Sequence, residues 1–233
     1  MNKNDINCDL SFDQNLKLIE GVNRLPWVGK AFYTQKHKIF ILGESVYNWK
    51  PEDQSFISHI EAPDNLRNLH VNHAMNFKKN SKFVRNIERA IYNKKKPTDS
   101  EKNKLWTSVI YHNLVKRVLK SNKHRPSYND YLSGWTTFGE LVDLFLPDQV
   151  IVYGLERKKI DSFLEYCQVN KIEIIKREKI PVKVGRSHPR KIVVNKNGKE
   201  VMLLFIKHPS SYFSWKKWSP IINHHLDCKP DIE

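Results

Sequence analysis

Short apolar runs separated by polar segments indicate the strands of this chain. Four of these runs are rich in β-branched residues and have strand length: residues 38–42, 108–111, 149–153 and 201–206. Helical patterns lie between them, at residues 81–92, 127–145 and 156–170. Because strands that alternate with helices form parallel sheets covered on both faces, we predict a three-layer α/β/α fold around a mainly parallel, four-stranded central sheet.

Two of the helical patterns carry further detail. Ser81 is placed to cap the first helix, in which Phe83, Ile87 and Ile91 share one face. The second pattern, at residues 127–145, contains Gly134 near its middle. It therefore predicts either one helix broken near that glycine or two short helices.

Turn and loop signals complete the organisation of the chain. Asn197 and Gly198 stand between alternating apolar runs in KIVVNKNGKEVMLLFI, which predicts a β-hairpin that leads into the last core strand. Residues 184–191 are predicted to form a surface loop, and residues 93–104 a long exposed connection. Since no linker or repeat is evident, we predict one domain over residues 1–233, with residues 1–25 as an N-terminal extension or helix.

The charge of the chain is its most informative bulk property. Of its 233 residues, 40 are Lys or Arg and 25 are Asp or Glu, a formal net charge of +15. This excess favours polyanionic partners, although a proteome rich in lysine would also produce it. Basic residues stand beside aromatic ones in SYFSWKKW, which favours nucleic acid over a membrane surface.

Other features narrow the class of protein. The apolar runs are too short to cross a membrane, and the N-terminal MNKNDINCDL has no apolar signal region. The three cysteines, Cys8, Cys167 and Cys228, are scattered without the spacing of a metal site or a disulfide framework. We therefore expect no metal or other cofactor, no membrane partner and a cytoplasmic location.

Three of the predicted core strands end in polar groups that a buried strand does not need. Glu44 follows the first, Asn113 the second and His208 the last. In a parallel sheet these ends point to the same edge, so the three side chains are expected to converge on one crevice. Taken singly, an Asn after a strand is more often a turn former, and a His-Pro pair is a common strand terminus.

These blocks together resemble the uracil-DNA glycosylase superfamily. The similarity runs through LPWVGKAFY, ILGESVY, VIYHNLVKRV, DQVIVYGLERKKI and FIKHPSSYF, and covers most of the chain after Pro26. The Gly-Glu pair at 43–44 resembles the iron–sulfur branch of the family, whereas Tyr47 is placed like the tyrosine of the uracil-specific branch. The cysteine ligands of the iron–sulfur branch are missing. The resemblance therefore implies a divergent member without a cluster.

The resemblance implies hydrolysis of the N-glycosidic bond between a flipped base and deoxyribose. His208 occupies the position that donates a hydrogen bond to the base oxygen on which negative charge develops. Glu44 would orient water or stabilise the cationic sugar. Ser45 is a rival for the water, because it stands where the best-known branches carry the catalytic Asp or Asn. A simple alternative is that Glu44 only caps the following turn.

Base recognition is implied for three further positions. Asn113 would read the base edge, and its amide can serve a uracil edge or, when rotated, a cytosine edge. Tyr47 would close off the C5 side of the base or turn away and admit a modified one. Phe77 is the predicted stacking aromatic, with Phe56 and Phe83 as alternatives.

The last block is expected to contact the DNA itself. Its loop would enter or brace the minor groove, with Tyr212 or Phe213 as a wedge in place of the flipped base. Phosphate contacts are expected from the neighbouring lysines. The predicted DNA-binding residues are Lys207, Ser210, Ser211, Tyr212, Phe213, Lys216 and Lys217. Trp215 and Trp218, three residues apart, fit this surface or the core equally well.

The functional hypothesis is a monomeric, monofunctional DNA glycosylase that removes uracil or a modified pyrimidine. It would act in base-excision repair or in defence against phage DNA with modified cytosines. The alternative is a catalytically inactive superfamily member that serves as a nucleic-acid-binding module. An unrelated nucleotide hydrolase is disfavoured, because no glycine-rich phosphate loop is present.

Overall fold

A computed structural model describes residues 7–76, 81–121, 123–210 and 212–226. Its strands are β1 (Trp27–Val28), β2 (Ile39–Gly43), β3 (Val46–Tyr47), β4 (Val109–Asn113), β5 (Val118–Leu119), β6 (Gln149–Tyr153), β7 (Glu173–Lys179), β8 (Arg190–Lys196) and β9 (Lys199–Ile206). Its α-helices are α1 (Asp13–Leu18), α2 (Gln54–Glu61), α3 (Asn65–His70), α4 (Lys82–Tyr92), α5 (Asp99–Thr107), α6 (Tyr128–Phe145), α7 (Arg157–Val169) and α8 (Trp215–His225). A short 3₁₀ turn (Phe32–Thr34) and a π turn (Val71–Met75) complete the elements.

The four predicted strands form the parallel centre of the sheet. They lie side by side in the order β4-β2-β6-β9, within a sheet whose full order is β1-β4-β2-β6-β9-β8-β7. Gly43 at the end of β2 is paired with Asn113 at the end of β4, and Tyr153 of β6 with Ile206 of β9. The carboxyl ends of the four strands are therefore nearly level.

Antiparallel strands widen this centre, so the four-stranded prediction was incomplete. On one side β1 pairs with β4, and on the other β8 and β7 extend the sheet from β9. Strand β7 was missed because its sequence, EIIKREK, is mostly charged and its residues are almost all exposed. Pairing with β8, rather than burial of an apolar face, gives it strand structure.

Alternate residues of the sheet face two separate hydrophobic layers, which confirms the α/β/α architecture. Ile39 and Ile41 of β2 pack into the layer formed with α4, α5 and α8. Phe40 and Leu42 pack into the layer formed with α6 and α7. The alternation of side chains along a strand distributes the two sets to opposite faces.

The helical patterns were correct in place and needed correction in detail. Ser81 precedes α4, but its side chain makes no capping hydrogen bond. Ile87 and Ile91 are buried as predicted, whereas Phe83 is only partly buried. Helix α6 runs unbroken through Gly134, whose missing Cβ would lie 2.2 Å from the carbonyl oxygen of Leu114. That glycine allows close packing and does not interrupt the helix.

The prediction of an exposed connection at residues 93–104 was wrong in its second half. Helix α5 begins at Asp99, and its start is stabilised by a reciprocal capping box between Thr98 and Glu101. Leu105 and Trp106 at its other end are fully buried. Thr98 and Glu101 are a helix-start signal in the sequence. It was overlooked because the lysine run at residues 94–96 indicated an exposed loop.

The hairpin prediction is confirmed. Asn197 and Gly198 join β8 to β9, and both have positive φ, 55° and 79°. Two residues of this conformation form the turn whose twist matches that of paired strands. The surface loop predicted before it extends only to residue 189, because β8 begins at Arg190. Helix α1 lies within residues 1–25, where an extension or helix was predicted.

Candidate active site

A cavity of about 1230 Å³ opens at the carboxyl ends of the central strands. Eight predicted site residues line this central cavity: Glu44, Ser45, Tyr47, Asn113, Lys207, His208, Ser210 and Tyr212. They come from segments far apart in sequence, and the sheet brings them together because its parallel strands end at one edge. The expected convergence of Glu44, Asn113 and His208 is therefore present in the structure.

Glu44 directly follows β2 and is held from beneath by two donors. The side chain is 5% exposed. Its Oε1 atom accepts hydrogen bonds from the Lys159 Nζ atom at 2.8 Å and from the Tyr131 hydroxyl at 3.0 Å. Its Oε2 atom lies 3.5 Å from the Tyr47 hydroxyl. Glu44 therefore does more than cap a turn, since its carboxylate is the centre of a buried polar group.

The charge state of Glu44 follows from these neighbours. Burial raises the pKa of its carboxyl group, but the charge and hydrogen bond of Lys159, together with smaller contributions from His208 and Tyr131, more than offset burial. The pKa of Glu44 consequently lies below its ordinary value. At neutral pH the group is a carboxylate, suited to stabilise positive charge and to orient water.

Lys159 was not predicted as a site residue. Its side chain is fully buried and also contacts the Tyr153 carbonyl oxygen at 2.5 Å and a Glu156 carboxylate oxygen at 3.0 Å. In the sequence it stands in Arg-Lys-Lys at the start of a helix, a run typical of a solvated surface. The one nearby sequence feature connected with its burial is Gly154. In the structure this glycine has a φ of +103°, and its missing Cβ would lie 2.1 Å from Lys159 Nζ.

Ser45 follows Glu44 and also lines the central cavity. Its hydroxyl oxygen is buried and has no hydrogen-bond partner among the described residues. A buried hydroxyl without a partner is costly unless water or a ligand supplies one. Both candidates for handling water, Glu44 and Ser45, thus reach the cavity, and the geometry keeps them as joint candidates.

Asn113 ends β4 with its carboxamide against the backbone of the neighbouring strand. The Tyr111 hydroxyl donates to Asn113 Oδ1 at 3.3 Å. A Cβ on Gly43 would lie 2.3 Å from Oδ1 and 2.7 Å from the Tyr111 hydroxyl oxygen. Glycine at position 43 therefore has a packing reason: it leaves the space that the Tyr111–Asn113 pair occupies. Tyr111 was not among the predicted site residues.

His208 follows β9 and lies edge-on to the ring of Tyr153, with ring centroids 5.6 Å apart. Its Nδ1 atom is buried without a hydrogen-bond partner among the described residues. Burial lowers the pKa of His208 below its ordinary value, and the Glu44 carboxylate offsets only part of that effect. At neutral pH the ring is an uncharged imidazole with one N–H donor.

Several aromatic rings face the central cavity. The predicted stacking residue, Phe77, lies outside the described residues. Its two alternatives, Phe56 and Phe83, both line the cavity, and Phe83 is stacked over Tyr111 with ring centroids 6.5 Å apart. Tyr47 lies at the same mouth with its ring edge toward Trp49. Two candidates for base stacking are therefore in place.

The loop after β9 presents one of its two wedge candidates to solvent. Tyr212 is 94% exposed and has a φ of +59°, a conformation that is uncommon for a bulky residue. Phe213 instead is buried and stacks on Trp218 with ring centroids 5.8 Å apart. Phe213 therefore packs in the core, and of the two only Tyr212 can reach a DNA groove. Ser211 lies outside the described residues.

Contacts from two directions hold this loop. The Asn86 side chain donates to the carbonyl oxygens of Pro209 and Ser210, at 3.0 Å and 3.2 Å. Lys207 Nζ donates to the Tyr212 carbonyl oxygen at 3.0 Å. These bonds stabilise the backbone that carries the exposed Tyr212 ring.

The last two predicted DNA contacts lie on α8. Lys216 and Lys217 are exposed on the first turn of α8 and do not line the cavity. Trp218 is fully buried and Trp215 packs partly buried against the same layer, so this pair belongs to the core. Arg125, which was not predicted, adds a cation to the cavity wall.

No protein-family model and no curated protein matches this chain. Among the described residues, no cluster of His, Cys, Asp and Glu is arranged to hold a metal ion. In that same part of the chain, no helix has both the length and the apolar character needed to cross a membrane.

Proposed function

We propose that this protein is a monomeric DNA glycosylase that hydrolyses the N-glycosidic bond of a flipped uracil or modified pyrimidine and leaves an abasic site. One observation carries the proposal: Glu44, Asn113 and His208, at the carboxyl ends of three different strands, line a single cavity. A carboxylate, a carboxamide and an imidazole are the groups that this reaction needs around one base. The resemblance noted in the sequence led to the same three residues.

The charges of the site suit the transition state of the reaction. As the bond breaks, the sugar becomes positively charged and the departing base becomes negatively charged. The ionised Glu44 can stabilise the sugar cation and orient the attacking water, with Ser45 as a second ligand for that water. The pKa of Glu44, held below its ordinary value, keeps it charged throughout the neutral range.

His208 supplies the complementary group. The N–H group of a neutral imidazole donates a hydrogen bond to the base oxygen. No full positive charge has to be held beside that oxygen. A preorganised donor in a dry site contributes about 3 kcal/mol to transition-state stabilisation. Because burial holds the pKa of His208 low, it stays in this form at neutral pH.

Cavity size and surface charge support a DNA substrate. The cavity volume of about 1230 Å³ exceeds the usual range for ligand sites and accommodates a pyrimidine with a substituent. The net charge of +15 favours contact with phosphates, and Tyr212 is presented as a wedge. A cytoplasmic location, and a role in repair or in defence against modified phage DNA, remain parts of the proposal.

The experiment is incubation of the protein with DNA duplexes and single strands that carry uracil, hydroxymethylcytosine, glucosylated hydroxymethylcytosine or plain cytosine. Alkali-labile sites should appear in at least one modified substrate and not in plain cytosine DNA. Glu44→Gln and His208→Ala should each abolish most of this activity. Glu140→Gln, the same substitution on an exposed face of α6, is the matched control and should leave it unchanged.

Two outcomes would contradict the proposal. If no substrate becomes alkali-labile, the enzyme hypothesis fails. If DNA binding then survives replacement of Glu44, Asn113 and His208 by alanine, the inactive binding module is the better description.

A further inference from the structure

We propose that Lys159 and Tyr131 are positioning residues that hold the Glu44 carboxylate in one orientation, with Oε2 directed to the substrate side of the cavity. This inference rests on the proposed function. It assigns a role to two residues that the resemblance did not point to. The evidence is the contact set of Glu44, meaning the buried hydrogen bonds that its carboxylate accepts from Lys159 and Tyr131.

The two oxygens of the Glu44 carboxylate have different surroundings. Lys159 Nζ and the Tyr131 hydroxyl both donate to Oε1, at 2.8 Å and 3.0 Å. Rotation of the carboxylate by a quarter turn would break both bonds inside a buried site, where unpaired polar groups are costly. The two donors therefore fix the plane of the group. Oε2, which has a long contact of 3.5 Å to Tyr47, is the oxygen available to water or sugar.

Lys159 acts through Glu44 and does not react itself. Its side chain is fully buried, and its ammonium group has three oxygen acceptors: Glu44 Oε1, a Glu156 carboxylate oxygen and the Tyr153 carbonyl oxygen. An ammonium group with three donors and three acceptors has none left for a substrate. Lys159 is not among the residues that line the cavity.

Charged and polar side chains face Glu44 from several elements. Lys159 and Glu156 approach from the start of α7, Tyr131 from α6, Tyr47 from β3 and His208 from the segment after β9. Lys159 stands between the carboxylates of Glu44 and Glu156. Without it, these two groups would face each other without a cation between them, and protonation of Glu44 would become easier.

The experiment measures single-turnover rate constants for Lys159→Met and Tyr131→Phe on the best DNA substrate. Lys159→Met should lower the rate constant about 100-fold at pH 7, and Tyr131→Phe about tenfold, with DNA affinity within about twofold of wild type. In the Glu44→Gln background, either substitution should add little, because the group to be positioned is gone. The control is Tyr128→Phe. Tyr128 begins α6, and its hydroxyl likewise donates to a glutamate, Glu165, but at the surface.

A second readout does not depend on activity. In protein labelled with ¹³C at glutamate carboxyl groups, the Glu44 signal should titrate at higher pH in Lys159→Met, and at slightly higher pH in Tyr131→Phe. If the wild type shows no glycosylase activity, the proposed function fails while this titration still tests the contact set. An unmoved Glu44 titration in both variants would overturn the positioning role.

The test also allows for a Lys159→Met variant that does not fold. Lys159→Met leaves a buried carboxylate without its cation, so circular dichroism must first show a wild-type spectrum. If it does not, Tyr131→Phe alone and the charge-neutral pair Lys159→Met with Glu44→Gln carry the test. Rate losses that are equally large with and without Glu44 would refute the proposal.

Discussion

The Tyr111 hydroxyl donates a hydrogen bond to Asn113 Oδ1, 3.3 Å away and two residues along the same strand. Residues two apart on a strand share one face, so this bond lies at the wall of the central cavity. It distinguishes the two ends of the carboxamide, because an amide held by its oxygen presents its NH₂ group elsewhere. Under the proposed function, the base edge that Asn113 reads therefore depends on Tyr111.

Tyr111→Phe is expected to weaken discrimination between bases. Without the hydroxyl bond the amide of Asn113 can rotate, so the ratio of kcat/KM for the preferred base over cytosine should fall about fivefold, the worth of one hydrogen bond. Competition kinetics with two labelled DNAs measure this ratio. Tyr92→Phe, which removes a hydroxyl bonded to Glu101 on α5, should leave the ratio unchanged. A ratio that stays constant in both variants would show that Tyr111 does not orient the amide.

Gly43→Ala is expected to impair the site more than the fold. The added methyl group would lie 2.3 Å from Asn113 Oδ1, so the carboxamide must move. We expect a loss of more than about tenfold in excision rate and about 1–3 kcal/mol in the free energy of unfolding. Urea unfolding and single-turnover kinetics measure the two effects. In an Asn113→Ala background the stability cost should be smaller; an equal cost would place the clash elsewhere.

The buried histidine His70 is expected to make the protein sensitive to acid. His70 packs among the rings of Trp27, Trp106 and Tyr111, and burial lowers its pKa to about 3. The folded state therefore excludes a proton that the unfolded state binds below its ordinary pKa of 6.5. The stability that this difference provides is present above pH 6.5 and is lost as the pH falls toward 3.

The size of the effect follows from the pH interval. Between pH 7.5 and 5, His70 should account for about 2 kcal/mol of lost stability, since each pH unit below the unfolded pKa is worth about 1.4 kcal/mol. His70→Phe should lose that much less over the same interval, as measured by urea unfolding at both pH values. Equal losses of stability in the two proteins between pH 7.5 and 5 would mean that folding does not lower the pKa of His70.

Tyr212 and Phe213 are neighbours in sequence, and their alanine variants should have opposite consequences. Tyr212→Ala should lower excision from duplex DNA about tenfold, because an exposed wedge is lost, and change stability by less than about 0.5 kcal/mol. Phe213→Ala should cost about 3 kcal/mol of stability through the cavity left beside Trp218. Duplex and single-stranded substrates are compared for each. A Tyr212→Ala variant that is fully active on duplex DNA would remove this residue from base flipping.

The central strands were predictable because their signals are local. Each is an apolar run of strand length, and β6 was predicted at residues 149–153 as observed. Since parallel strands end at one edge, the convergence of Glu44, Asn113 and His208 followed from the predicted parallel direction of their strands. The hairpin was predictable for a similar reason, because Asn197 and Gly198 favour its turn by their own backbone preferences.

The other features depended on packing and strand pairing that no local pattern indicates. Strand β7 has no apolar face to mark it and exists through pairing with β8. Phe213 was predicted to contact DNA, and Trp218 fitted a DNA surface or the core equally well; packing against each other and the sheet places both in the core.

Local sequence patterns were enough to predict the central strands and the polar residues that follow them, because each strand and the residue at its end are adjacent in the chain. Which lysine is buried follows from the tertiary structure and not from any local pattern. Arg157, Lys158 and Lys159 look alike in sequence, yet only Lys159 enters the interior, 115 residues along the chain from Glu44. A buried cation needs a carboxylate to offset its desolvation, and only the folded chain brings that carboxylate within reach.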